Sequence, residues 1–205
     1  MKCIATRLLL VLIASVSATV ALAQEPVPGS AGVYADADGT VSTLSVVPNV
    51  PFDVYAVGFD HPGGLIAYEV GFTGFPADVF ILSATTLGIF VPLTPDPDAE
   101  NFIVGTGRCL DEGGPLPLVT LELLAPTEVA VDTIVQLRGT DPSSFDGVPG
   151  WADCAEEIFP YATPAAGCVT NGEIYPIGAL VLNASTECPL SGGAVGFGEL
   201  KARFD

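Results

Sequence analysis

Leu65-Ile66-Ala67-Tyr68-Glu69-Val70-Gly71-Phe72-Thr73 is the stretch on which the reading of the fold turns. Large apolar side chains at Ile66, Tyr68, Val70 and Phe72 alternate with small or polar ones at Ala67, Glu69, Gly71 and Thr73. Successive side chains of a strand point to opposite faces, so this period of two predicts one face on a core and one toward solvent. Just before it, Phe52 to Phe59 reads as a second strand. Asp60-His61-Pro62-Gly63-Gly64 supplies the residues of a hairpin turn between the two.

Working outward, further short apolar runs lie at Val33–Asp36, Val41–Val47, Asp78–Leu82, Phe102–Val104, Leu118–Leu124, Glu128–Leu137 and Ile174–Leu182. Eighteen prolines and 23 glycines break the chain so often that no helical-period stretch of useful length survives. Short helical turns are expected only at Ala152–Ile158 and Glu199–Phe204. About nine strands at this spacing predict an all-β fold, an antiparallel β-sandwich of jelly-roll or cohesin-like type rather than a βαβ arrangement. From about Gly139 the texture changes, and three cysteines gather among Pro and Gly. That part is expected to be the loop-rich end of the same domain, braced by disulfides.

The N-terminus has the three parts of a secretory signal. Lys2 and Arg7 are basic, Leu8 to Val20 is apolar, and Ala21-Leu22-Ala23 places small residues before Gln24. Residues 1–23 are therefore expected to be removed, leaving a single domain at 24–205 that is secreted, periplasmic or at the cell surface. The apolar run is shorter than the roughly 20 residues of a membrane helix, so no membrane span is expected after cleavage. The processed chain keeps four basic residues (Arg108, Arg138, Lys201, Arg203) against 24 acidic ones, a formal net charge of −20. Such a charge repels nucleic acid and anionic lipid and excludes nucleic-acid binding.

Cys109, Cys154, Cys168 and Cys188 remain after export, and an even number in an oxidising compartment implies two disulfides with three connectivities. Cys154 with Cys168 closes the shortest loop, worth on the order of 3 kcal/mol, which would leave Cys109 with Cys188. A zinc site is the weaker reading, because there is no Cys-x-x-Cys spacing and His61 is the only histidine.

The segment Pro48-Asn49-Val50-Pro51-Phe52-Asp53-Val54-Tyr55-Ala56-Val57, followed by Gly64 to Phe72, resembles the opening strands of cohesin modules and related carbohydrate-binding modules. Phe75-Pro76-Ala77-Asp78-Val79 stands in the place of the corner that follows in those modules. The likeness covers about 45 residues, lacks the usual Gly after the leading Pro, and differs in the four cysteines. It implies a non-catalytic β-sandwich that binds an extracellular protein or polysaccharide. The Gly32-Val33-Tyr34-Ala35-Asp36 opening, Pro149-Gly150-Trp151-Ala152-Asp153-Cys154 and the final Gly198 to Phe204 are similar to secreted proteins of environmental bacteria, a likeness that brings no activity with it.

No motif for chemistry stands out. There is no Gly-x-Ser-x-Gly, and His61 is expected to be an exposed turn residue. Asp53 and Glu69 share the polar phase of neighbouring predicted strands and are the carboxylate pair that a glycoside hydrolase would use, although the outer face of a sandwich also needs such residues. The adjacent Glu156 and Glu157 point in different directions. Asp36-Ala37-Asp38-Gly39-Thr40 starts like a calcium loop, making Asp36 and Asp38 the weak metal candidates, but Val47 stands where the distal Glu belongs. Asp96, Asp98 and Glu100, and Asp141 with Asp146, form further acidic turns. Trp151 with Tyr161 is the candidate sugar-stacking pair. The competing reading, that Trp151 anchors the disulfide-rich part on the sandwich, is the favoured one. Asn183-Ala184-Ser185 is a glycosylation sequon. The function expected from this pattern is non-enzymatic binding, in adhesion, scaffolding or surface association. The alternatives are a carbohydrate-binding module and a carboxylate-dependent hydrolase, and no cofactor beyond calcium is indicated.

Overall fold

The computed structural model describes residues 28–90, 101–110, 113–162, 167–170, 173–176 and 178–185. The strands are β1 (Ser30–Tyr34), β2 (Thr43–Leu44), β3 (Pro51–Phe59), β4 (Leu65–Thr73), β5 (Phe80–Thr86), β6 (Ile89–Phe90), β7 (Asn101–Leu110), β8 (Pro115–Leu124) and β9 (Thr133–Arg138). After them come β10 (Gly150–Ala152), β11 (Ile158–Pro160), β12 (Gly167–Thr170), β13 (Glu173–Pro176) and β14 (Leu180–Leu182). No helix occurs among the described residues, and hence none long and apolar enough to cross a membrane. At Ala152–Ile158, where a helical turn was expected, the chain reverses tightly between β10 and β11. The turn is held by the Asp153 carboxylate, which accepts from the amides of Ala155 (2.9 Å) and Glu157 (2.8 Å).

One sheet has the order β1-β3-β8-β5 and the other β11-β10-β4-β9-β14-β2, with β7 on the free side of β4 and β6 beyond it. Successive long strands alternate between the layers: β3, β5 and β8 lie in the first, β4, β7 and β9 in the second. The expected hairpin at Asp60–Gly64 is therefore not one. Those residues carry the chain from one sheet to the other, and β3 pairs with β1 and β8 instead. A Pro-Gly-Gly turn suits either path, because turn chemistry fixes a reversal and not its partner. The ladders are antiparallel except that β2 and β14 run parallel, Val181 opposite Thr43 and Leu182 opposite Leu44.

The core lies between the sheets and includes Val33, Val54, Leu65, Tyr68, Val70, Phe72, Phe102, Leu118, Leu121, Leu123 and Leu180, all buried. β4 keeps its predicted limits, but a register shift against β7 between Leu65 and Ala67 changes the phase. Leu65 is buried and Ile66 only partly so, the reverse of what strict alternation predicts. A bulge inserts unpaired residues into a ladder, and this is its usual effect.

A second, smaller apolar cluster of Tyr34, Val57, Phe59 and Tyr55 sits on the outer face of the first sheet. The loop over residues 35–41 folds onto it and brings Gly39 against the Phe59 ring, where a Cβ would fall 2.3 Å from Cζ.

Candidate functional site

Three sequence regions converge at the His61 end of β4. Trp151 pairs across the ladder with Tyr68 and projects inward from β10. His61 lies edge-on to it (ring centroids 5.1 Å apart), Phe159 stacks at 5.0 Å, and Tyr161 lies 5.7 Å from His61. His61 is 6% exposed and Trp151 and Tyr161 are each 4% exposed. The exposed turn histidine of the sequence reading is thus buried, because the chain passes between layers at that point. Trp151 and Tyr161, the candidate sugar-stacking pair, thus lie almost wholly enclosed among the neighbouring rings.

His61 Nε2 and the Tyr161 hydroxyl share a hydrogen bond of 3.0 Å. Burial pushes the imidazole down to about 4, partly opposed by Asp60, and raises the Tyr161 phenol well above its ordinary value. His61 is therefore neutral across the ordinary pH range. Ser30 Oγ, His61 Nδ1 and Trp151 Nε1 are buried without a hydrogen-bond partner among the described residues, which is a local cost in stability.

A disulfide joins Cys109 to Cys154, with 5.5 Å between the Cα atoms. This corrects the expected pairing of Cys154 with Cys168. β7 and β10 flank opposite edges of β4, and Leu110 pairs with Leu65 while Ala152 pairs with Ala67, so both cysteines reach the same end of that strand. Proximity along the chain did not decide it. Gly64, at φ +84°, lies under the sulfurs, and a Cβ there would fall 2.5 Å from Cys154 Sγ. Cys188 and the Cys168 side chain lie outside the described residues, as do residues 1–23, Asp96–Glu100 and Glu199–Phe204.

On the outer face of the second sheet, Ala67, Gly150 and Ala152 form the floor of a recess of about 150 Å3, which Ile103, Ser144 and Ile158 also line. Phe145 lies over Gly150, where a Cβ would meet its ring at 2.8 Å. The loop that carries Phe145 also covers Glu69. The Glu69 carboxylate accepts from the Ser144 amide (2.9 Å), the Ser144 hydroxyl (2.7 Å) and the Ser143 hydroxyl (3.4 Å). Glu69 is only 7% exposed, and Asp53 stands in the other sheet. The proposed carboxylate pair does not form, because β3 and β4 are not neighbours. Asp53 faces Glu122 of β8 instead.

Asp36 accepts from the Thr40 amide (2.8 Å), the Thr40 hydroxyl (2.5 Å) and the Val41 amide (2.7 Å). Its oxygens thus close its own turn, and among the described residues no three His, Cys, Asp or Glu side chains gather as a metal requires. Burial and this carboxylate together push Tyr34 up to about 12. In the sequon, Asn183 accepts from the Val46 amide (2.7 Å) and donates to the Val129 carbonyl (2.8 Å), so its side chain is engaged in joining three segments. Ser143, Ser144 and Phe145 carry no motif that would have singled them out. Their role appears only once the loop is seen to lie on β4.

These features define an all-β, two-sheet sandwich with each outer face partly covered by a loop. It is similar to the cohesin module of a Clostridium perfringens family 33 glycoside hydrolase, at 8% identity and a TM-score of 0.44 over 76% of this chain and 97% of that one. It is also similar to the sixth cohesin of Acetivibrio cellulolyticus scaffoldin B, solved with a Cel5 dockerin (9%, 0.47, 76% and 98%). A third similar structure is the OlpC cohesin of a Clostridium thermocellum cohesin–dockerin complex (7%, 0.45, 79% and 98%). No family model and no curated protein matches the sequence.

Proposed function

We propose that the chain is a secreted, non-enzymatic module that binds another extracellular protein, in scaffolding or surface association. The observation that carries this reading is where the polar side chains go. Asp36 closes its turn, Asp153 closes another, Glu69 holds a loop, and His61 is neutral and packed among aromatics. Each such group is engaged inside the fold. Among the described residues the outward recess over β4 and β10 is lined mainly by apolar and small side chains, its one carboxylate, Glu69, being held by a loop. The leader-like residues 1–23 and the Cys109–Cys154 disulfide support export to an oxidising compartment.

The processed protein, screened against chromogenic glycosides and esters and against immobilised extracellular proteins and glycans, is expected to turn over none of the substrates and to retain a protein. Turnover that disappears in Asp53→Asn or Glu69→Gln would overturn the reading.

A further inference from the structure

We propose that the free edge of β5 is a docking strand for an extended, basic segment of a partner protein. The inference rests on the binding-module reading and gives it a surface. β5 closes one side of the first sheet and, among the described residues, pairs only with β8. Its sequence, Phe-Ile-Leu-Ser-Ala-Thr-Thr, contains no charged residue and no proline. Sheet edges ordinarily carry such residues to prevent a further strand from adding. The bulge between Ile81 and Ser83 is the one protective device. Beyond it Ser83, Ala84, Thr85 and Thr86 run in regular register with Glu122 to Val119.

Exposure distinguishes β5 from the rest of the sheet. Phe80 is 56% and Leu82 48% exposed, and Ser83, Ala84 and Thr85 are exposed in succession. Neighbouring side chains of a strand face opposite ways, so exposure in succession means that from Leu82 to Thr85 no described residue covers either face of β5. Ile81 packs on the core, and the strand beyond it overhangs. A strand laid along it would complete backbone hydrogen bonds on a row that has a partner on one side only, and would cover Phe80 and Leu82.

Charge selects the occupant. One and two strands inward, Glu122 and Asp53 stand directly opposite each other on the outer face, an arrangement that costs stability in a ladder. Glu122 is the register partner of Ser83, whose hydroxyl donates to it at 3.1 Å. Arg108 and Arg138 are the basic side chains among the described residues, and both belong to the other sheet. A Lys or Arg on the incoming strand can reach across Ser83 toward Glu122, whereas a second copy of this chain brings the same acidic face and a net charge of −18. A polysaccharide offers no strand. The partner segment therefore alternates basic and apolar residues.

The test titrates the isotope-labelled processed protein with a short synthetic peptide alternating Lys and Val, and separately with its Glu/Val counterpart. Saturable binding of the Lys/Val peptide, with amide shifts confined to Phe80–Thr86 and their β8 partners, is expected. Raising the salt should weaken it, and the Glu/Val peptide should not bind. Ala84→Lys should weaken it about tenfold, since a charge on the edge opposes strand addition, while the melting temperature stays the same. Shifts centred elsewhere, equal binding of both peptides, or no binding overturns the proposal. So does dimerisation through β5, or binding that appears only once residues 186–205 are removed. Retention of a partner at another surface would leave the module reading standing while this one falls, whereas substrate turnover would undo the module reading itself.

Discussion

The His61 end of β4 and the β5 edge belong to one sandwich but use their residues in opposite ways. At the first, the 29–34, 61–65 and 151–161 regions meet, and the disulfide from Cys109 closes over them, so even a histidine and a tryptophan are almost wholly enclosed. At the second, a strand with described neighbours on one side only leaves four consecutive residues, Leu82 to Thr85, in solvent. The number of chain segments that cross over a position thus decides whether its side chains hold the fold or remain available to something else. The enclosed corner belongs to the main core, whereas the margin touches that core through the partly buried Ile81.

That contrast can be broken most forcefully at Trp151. Trp151→Ala removes the ring against which His61 and Phe159 pack and should cost about 3–5 kcal/mol in denaturant unfolding. A loss below that range would show the corner to be less cooperative than its packing implies. Replacing Cys109 and Cys154 together by serine opens a cross-link between residues 45 apart in sequence, and should cost about 2–4 kcal/mol in the same measurement.

Acid probes the corner without mutation. Folded His61 takes up its proton near pH 4 and the unfolded chain near 6.5, so the unfolded state binds protons first as pH falls. The contribution is complete above about pH 6.5 and shrinks on acidification, by about 2 kcal/mol at pH 5. Comparing denaturation midpoints of the wild type and His61→Gln across that window isolates it, and the variant should lose this part of the slope. Ser144→Ala, which removes the hydroxyl hydrogen bond to the buried Glu69 and keeps the amide one, should cost about 1–2 kcal/mol. At the other extreme, Ala84→Lys should change unfolding by less than about 0.5 kcal/mol, as expected of an exposed site. A large loss there would mean that β5 is structural after all.

What could be read from the chain was what is local. The alternation from Leu65 to Thr73 delivered β4 with its limits, and the run from Phe52 to Phe59 delivered β3 but for Pro51, because periodicity is written in consecutive residues. The run Val41–Val47 contains the two-residue β2, whereas the short β6, β10 and β11 fall below the length at which a period is visible. What escaped was whatever depends on distant partners. Glu69 is covered by a serine 75 residues later, His61 is enclosed by Tyr161 a hundred residues on, and Cys109 finds Cys154 only because β4 carries a strand on each edge. The exposed margin at β5 was equally hidden, since Phe80 and Leu82 look like core residues until they are seen to be exposed.

The parallel pairing of β2 with β14 joins residues 43–44 to residues 181–182, close to the full length of the described chain. Residues 43–44 wait for residues 181–182 before their strand has a neighbour, and Asn183, bonded to Val46 and Val129, secures three segments at once. Closing so long a stretch of chain is slow and yields nothing until it succeeds. A chain without residues 180–183 therefore leaves β2 without its ladder partner, and Val46 and Val129 without the Asn183 side chain that joins them.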